Sequence, residues 1–376
     1  METLAIPRKL SSAVNEKNIH WKQLWSLAAL YGSIIIGWIA YQNYQPKLLV
    51  QFQFTDFNFL LMVAQGVIVV VTPMIAGKLG DRYRFERGHR LPIISSGISF
   101  AAMVFMAVAF TLIGNPGEIF KWILPLLIVF WLVAMSTFTS PALSTMELFT
   151  PVDKLPRAMA VLTITGNLIY ALEPVIVDII DYVGAPATFM LGGVVVFLSG
   201  YALKKNSMDL FKQNGNKEER AYESQVLKSP YAFIFFLGLC VGIATTMLFY
   251  LFPIILGHNV ETAFNVDSKL IVVGILVVSA VISWPVSNIV NRYGTDRSFR
   301  ISFLAIAVST LAIFFASSPF VLLPMLAVFS AAFTALSVSS LPLAINKSAF
   351  SEKVFCVGIF FSGVAVPEAI WEVWAL

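Results

Sequence analysis

Eleven apolar runs of about 20 residues follow one another along the chain, separated by short polar segments. A helix of that length spans the hydrocarbon core of a bilayer. Any single run could be a buried helix of a soluble domain, but eleven in series carry more apolar surface than a soluble core can bury. The runs predict spans over residues 25–45, 57–80, 91–112, 119–140, 158–180, 185–203, 231–256, 268–290, 299–316, 320–345 and 354–374.

The composition supports a membrane protein and argues against several other classes of function. Hydrophobic residues make up 58% of the chain and charged residues only 12%, against roughly 25% charged in soluble domains. The three histidines, His20, His89 and His258, are scattered, so the sequence predicts neither a metal centre nor an enzyme active site. Cys240 and Cys356 lie in apolar runs, where we expect them to be small packing residues.

Lysine and arginine lie almost entirely in alternate loops. If the N-terminus is cytoplasmic, 22 of the 25 basic residues fall on the cytoplasmic side, and only Lys47, Lys121 and Lys269 fall outside. Cytoplasmic loops of membrane proteins are enriched in these residues. We therefore expect a multi-pass protein of the cell membrane with a cytoplasmic N-terminus, in contact with lipid, and the net charge of +4 needs no nucleic-acid partner to explain it.

The chain divides at a polar stretch near its middle. Residues 1–203 predict an N-terminal six-helix bundle, residues 204–228 a cytoplasmic linker, and residues 229–376 a C-terminal five-helix bundle. The basic loop after the second span and the basic loop after the eighth occupy equivalent places in the two halves. Such an internal repeat is common among transporters.

The loop after the second span carries the most specific motif. Its matching positions are Pro73, Gly77, Asp81, Arg82, Gly88, Arg90 and Pro92. This pattern resembles the signature of the major facilitator superfamily, and its spacing is similar to that of the sucrose/proton symporter and glycoside-pentoside-hexuronide branch. Gln42-Asn43 in the first span, and the eleventh-span pattern formed by residues 351–353, residues 358–360 and Pro367, also resemble that branch.

The resemblance implies an all-α integral membrane fold of two bundles and a secondary transporter that works by alternating access, as a proton-coupled symporter of a sugar or glycoside. The family plan is six plus six helices, so the eleven predicted spans lack the twelfth. Phe361 replaces an asparagine of the branch and Leu143 stands where arginine is frequent. The alternatives are a transporter of a non-sugar small solute and, because of the absent helix, a membrane protein that does not transport.

Charged residues near the basic loop are candidates for a gate. Asp81 with arginines can pair to neighbouring helix ends in one transport state and release in the other. The predicted gating residues are Gly77, Asp81, Arg82, Gly88, Arg90, Glu147 and Arg157. The alternative for the loop is a generic basic loop at the cytoplasmic surface.

Two carboxylates lie deep in predicted spans, where a charge is costly and usually functional. Glu173, midway along the fifth span beside Pro174, is the first candidate for proton coupling, and Glu368 in the eleventh is the second. A structural hydrogen bond is the alternative for each. Glu372, near the chain end, is expected in the interface. The sodium-coupled sugar permeases of the group that this chain resembles carry acidic residues in the second span, and here no carboxylate lies between Phe57 and Gly80, so the resemblance favours H⁺ over sodium as the coupling ion.

Polar and aromatic side chains within the spans are candidates for binding a small-molecule substrate. They are Tyr41, Gln42, Asn43, Gln65, Asn167, Tyr170 and Trp284. Tryptophan and tyrosine are also ordinary interface anchors, which is the alternative for the aromatic members. No cofactor is expected, and the protein is expected to be a monomer.

Overall fold

The computed structural model describes residues 18–51, 58–114, 120–221, 228–256, 267–315 and 318–374. Within these residues the regular structure is helical. The first eight helices are α1 (Trp21–Gln51), α2 (Asn58–Arg87), α3 (Leu91–Ile113), α4 (Phe120–Ser144), the single turn α5 (Met146–Phe149), α6 (Leu155–Ala171), α7 (Glu173–Val183) and α8 (Ala185–Ala221). The rest are α9 (Tyr231–Thr246), which continues through a π turn (Met247–Leu251), α10 (Ser268–Tyr293), α11 (Thr295–Phe315), α12 (Pro319–Lys347) and α13 (Lys353–Trp374).

The predicted number of spans is confirmed. Ten helices of the described residues are long and apolar enough to cross a membrane, and the bent pair α6–α7 makes eleven if it counts as one span. Several helices extend well beyond the apolar segments that predicted them. Helix α8 does not end at Leu203 but continues through Ala221, so residues 204–221 of the predicted linker are helical and residues 222–227 lie outside the described residues. The apolar run marks the membrane exit, whereas polar residues continue a helix in water.

The fifth predicted span is broken rather than continuous. Helix α6 ends at Ala171, and α7 leaves it at an angle of 58°. Pro174 lies in the first turn of α7. Proline has no N–H for the carbonyl four residues back, and its ring clashes with that carbonyl, so a helix kinks there.

Helix α13 is packed between α2 of the N-terminal half and α9 of its own half. The contact is close on both sides. An ideal Cβ at Gly358 would lie 2.2 Å from the carbonyl oxygen of Pro73, and one at Gly363 would lie 2.3 Å from that of Phe235. These glycines therefore let three helix backbones touch. The halves also meet where α6 packs against α10 and α12.

The two ends of the helix bundle differ in charge. We call the end that carries residues 88–90 and Lys353 the basic end. The opposite end holds Lys47, near the end of α1, and Asp181 in α7, which form an ion pair of 2.8 Å.

Candidate functional site

At the basic end, Asp81 joins the two halves of the molecule. Its carboxylate accepts hydrogen bonds from the backbone N–H groups of Val354 (3.1 Å) and Phe355 (2.8 Å) at the start of α13. Free N–H groups and the positive end of the helix dipole make this a favourable position for an anion. Gly77, one turn earlier, allows the approach, because an ideal Cβ there would lie 2.7 Å from the Cα of Phe355.

A buried ion cluster lies next to this joint. Glu147 in α5 accepts a hydrogen bond from Arg90 at 2.6 Å and forms an ion pair of 2.7 Å with Lys353 of the other half. The side chains of Glu147 and Arg90 are only 6% and 1% exposed. Arg90 also donates to Ser144, at 2.7 Å, and Arg84 lies 3.9 Å from Glu147. One carboxylate therefore balances cations from three segments.

The other predicted gating residues lie close by, with one exception. Gly88 has φ = 73°, a left-handed conformation that glycine adopts without strain, and it ends α2 before Arg90. Arg157 of α6 donates to Asn288 of α10 at 3.1 Å, which is a further link between the halves. Arg82 instead faces outwards and pairs with Glu86 at 2.6 Å.

Helical geometry explains why Arg82 is outside the joint. Helix α2 continues through Arg87, so Arg84, three residues after Asp81, shares its face, whereas Arg82 points about 100° away. Arg84 donates to the backbone carbonyl of Phe350 at 3.1 Å. Sequence reasoning missed Arg84, and it assigned no role to Lys353 or Asn288. The i, i+3 spacing from Asp81 was the available signal for Arg84.

Replacing Asp81 should loosen the joint. Asp81→Asn removes the charge at the helix end and one of two acceptor oxygens, an effect of about 1–2 kcal/mol for a partly buried site. Cys356, buried beside Phe355, reports the change. In a Cys240→Ala background we expect maleimide to alkylate Cys356 about 5- to 30-fold faster than without the Asp81 change. Arg82→Gln, which removes a charge outside the joint, should leave the alkylation rate unchanged; an equal increase there would contradict this role of Asp81.

Glu368 forms a second junction between the halves, further from the basic end. Its Oε1 atom accepts hydrogen bonds from the Gln42 side chain of α1, at 3.2 Å, and from the Tyr250 hydroxyl of the π turn after α9, at 3.1 Å. The Tyr250 ring packs on Trp371, with ring centroids 5.8 Å apart. Glu372 follows one turn after Glu368 on α13. Glu368 was predicted, whereas Tyr250 was not.

Glu173 occupies a different position. It is the first residue of α7, at the break in the fifth span, and its side chain is half-buried. Among the described residues it has no hydrogen-bond partner, and the charge that acts on it most is that of Lys269 at the start of α10. The two candidate coupling carboxylates therefore differ: Glu368 connects three helices, and Glu173 lies at a bend.

Two predicted substrate residues are buried amides with a free donor. Gln65 of α2 accepts from Gln45 at 2.9 Å, but its own Nε2 has no partner among the described residues. Asn167 of α6 is buried, and its Nδ2 is likewise without a partner in the described part of the chain. One turn from Asn167, the Tyr170 ring lies 5.0 Å from Phe249 of the other half. The Tyr170 ring therefore lies where the two halves meet.

The remaining predicted substrate residues make other contacts. Tyr41 is buried within the N-terminal half and stacks on Trp131 at 4.6 Å. Asn43 donates to Asp181 of α7 at 3.0 Å. Trp284 packs on Trp21 at 6.0 Å, and Trp21 precedes Gln42 by 21 residues, or about 31 Å of helix. Spacing along one helix does not tell which face or depth meets the other half.

The sequence and the fold both resemble those of known proteins. The family model of the Major Facilitator Superfamily matches residues 27–370. No curated protein matches the sequence. Among solved structures, the chain is similar to the MFS proton:xylose symporter XylE bound to 6-bromo-6-deoxy-D-glucose, with a TM-score of 0.63 and 13% identity over 94% of this chain and 88% of that chain. At that identity the likeness shows the fold alone. The chain belongs to the major facilitator superfamily of membrane transporters, as the motif after its second span predicts.

Proposed function

We propose that the protein is a proton-coupled secondary transporter of a sugar or glycoside, with Glu368 as the coupling carboxylate. The observation that carries the proposal is the junction at Glu368, where one carboxylate oxygen accepts from Gln42 of one half and Tyr250 of the other. Glu368 is 15 residues, or about 22 Å of helix, from the start of α13. A carboxylate at such a depth is expensive unless it functions.

Protonation of Glu368 would change the junction directly. An ionised carboxylate only accepts hydrogen bonds, whereas a carboxylic acid also donates one. Adding a proton therefore competes with the donors of Gln42 and Tyr250 and weakens a link between the halves. Alternating access requires such a link to differ between its two states.

The buried amides support a substrate with oxygen acceptors. Gln65 and Asn167 each present an N–H group that has no partner in the described ranges, and a buried donor without a partner costs about 1–3 kcal/mol. Hydroxyl oxygens of a sugar would accept from both. The xylose named for the similar solved structure points to the same class of substrate.

A cationic solute is the second candidate. Glu372 places a second carboxylate one turn from Glu368, beside the packed rings of Tyr250 and Trp371. Carboxylates and aromatic faces together attract organic cations. The membrane orientation is common to both candidates: the basic end faces the cytoplasm of the cell, because lysine and arginine are retained there.

Uptake into proteoliposomes tests the function. Radiolabelled mono- and disaccharides are offered with an inward pH gradient, without it, and with a protonophore. One proton moved through 100 mV supplies about 2.3 kcal/mol, enough for an accumulation of several tens-fold. We expect the gradient to drive accumulation of at least one sugar. A panel of organic amines is tested in parallel, and accumulation of an amine would support the second candidate. Accumulation that is the same with and without the pH gradient would contradict proton coupling.

The Glu368→Gln variant assigns the coupling group. It keeps the shape of the side chain and one acceptor oxygen but cannot ionise, so uphill accumulation should be lost while exchange of substrate across the membrane continues. Glu173→Gln is the comparison, since Glu173 was the first candidate from sequence. Loss of accumulation in Glu173→Gln with normal accumulation in Glu368→Gln would transfer the role to Glu173.

A further inference from the structure

The two helices of the fifth predicted span, α6 and α7, differ in the helices that they contact. Helix α6 packs against α10 and α12 of the C-terminal half as well as against α1 of its own half, whereas α7 packs against α1 and α8, both of its own half. The change occurs at the 58° bend before Pro174. At the basic end this span therefore joins the halves, and at the opposite end it turns away from the C-terminal half.

Polar contacts hold α7 against α1. Asp181 forms an ion pair of 2.8 Å with Lys47 and accepts a hydrogen bond of 3.0 Å from Asn43. The Tyr44 hydroxyl donates to the backbone carbonyl of Ile180 at 2.6 Å. The side chains of Lys47 and Asp181 are both about half exposed, and an exposed pair contributes only about 0–1 kcal/mol. These polar contacts are weak enough to be exchanged, and the attachment is completed by Ile180, which is buried in the hydrophobic core.

The antiparallel packing of α6 on α10 indicates where a less bent α7 would lie. Arg157 meets Asn288 at the basic end, and Ala160 packs with Val290. Continued at the same register, the residues around Glu173 would run beside the first turns of α10. Lys269 lies in those turns, and its charge already acts on Glu173, although no ion pair joins the two residues.

We propose that α7 is a movable outer gate with two alternative ion pairs. In this structure the Lys47–Asp181 ion pair holds α7 on α1, within the N-terminal half. When the transport path between the halves closes at the end opposite to the basic end, α7 moves to α10 and Glu173 pairs with Lys269, which joins the halves. Pro174 provides the hinge, because a helix can continue through proline with a smaller bend. The purpose of the gate rests on alternating access in the proposed function, but its motion does not depend on which solute or ion is carried.

The expected displacement is large enough to measure. Ile179 is six residues after Glu173, about 9 Å along α7, so removing a bend of 58° moves it by up to about 9 Å. Ile179 and Leu270 of α10 are exposed side chains that can carry spin labels. Pulsed electron–electron resonance in nanodiscs, with Cys240 and Cys356 replaced, then gives the distance distribution between α7 and α10 without any substrate.

Three variants test the alternative pairs. A short distance between the labels at positions 179 and 270 reports α7 on α10, and a long distance reports α7 on α1. Asp181→Asn should raise the ratio of short to long distances by about threefold to fivefold, as expected for loss of one exposed ion pair. Lys269→Gln should lower that ratio by a similar factor. Exchanging the charges, with Lys47→Asp and Asp181→Lys together, should restore the original distribution. Asp296→Asn, which removes an exposed ion pair with Arg300 far from α7, is the matched control and should change nothing.

Two outcomes would contradict the proposal that α7 is a movable gate. A single distance in every variant would mean that α7 is fixed on α1. An equal shift in Asp296→Asn would mean that the distances follow general destabilisation rather than the ion pairs. Neither outcome bears on proton-driven uptake, so failure of the gate and failure of the proposed function are separate results.

Discussion

Glu147→Gln is expected to destabilise the folded protein by about 3–5 kcal/mol, the cost of removing one partner from a buried ion pair. Glu147 is the carboxylate that balances Arg90 and Lys353, and its side chain is 6% exposed. Glutamine fills the same space but leaves the buried Arg90 and the partly buried Lys353 without this counter-charge. The loss should exceed the gain from any remaining hydrogen bond, because the amide carries no net charge.

The measurement is a detergent-denaturation titration followed by circular dichroism, which gives the free energy of unfolding. Removing a cation together with the carboxylate, in Glu147→Gln with Lys353→Met, should recover part of the loss. Asp296→Asn deletes a carboxylate from an exposed pair and should cost no more than about 1 kcal/mol. Equal effects of Glu147→Gln and Asp296→Asn would contradict a stabilising role for the buried cluster.

Gly238→Ala is expected to have the second large effect, although it adds one methyl group. An ideal Cβ at Gly238 would lie 2.0 Å from the carbonyl oxygen of Phe360 and 3.1 Å from the backbone nitrogen of Val364. The obstacle is backbone, so α9 and α13 must move apart. Over-packing of this kind costs about 1–3 kcal/mol or more. Since α13 also touches α2, we expect slower transport as well as a lower unfolding midpoint.

Gly274→Ala is the matched control for this substitution. Gly274 also lies within a helix, but its added Cβ would meet no atom within 4 Å. Alanine is favoured over glycine in a helix interior by roughly 0.5–1 kcal/mol. The two variants should therefore change the unfolding midpoint in opposite directions, measured with a thiol-reactive dye as the buried Cys240 and Cys356 become exposed. A loss of stability in both would contradict the contact between α9 and α13.

Much of the basic end could be predicted because its motif is local in sequence. Gly77, Asp81, Gly88 and Arg90 lie within 14 positions and meet at one helix end in the structure. Their partners could not be predicted in the same way. Val354 is 273 residues from Asp81, and nothing in the spacing of one segment indicates which distant N–H groups it will meet.

The polar residues within the spans show the same limit more clearly. Gln42 and Asn43 are adjacent in sequence, yet one donates to Glu368 of the other half and the other to Asp181 of its own half. Neighbours in a helix point about 100° apart, so adjacency separates their partners. Trp284 is an aromatic residue of the type that stacks on sugars, but it packs on Trp21, near the basic end.

The amino-acid sequence by itself determined the number of spans and the superfamily. A helix that spans a bilayer needs about 20 apolar residues and makes its backbone hydrogen bonds within its own segment, so these features depend only on residues that are consecutive in the sequence. Only the tertiary structure decided which charges balance Glu147, which half α7 follows after Pro174, and that Glu368 rather than Glu173 joins three helices. Those outcomes depend on helix rotation, depth and direction of bending, which packing between distant segments sets.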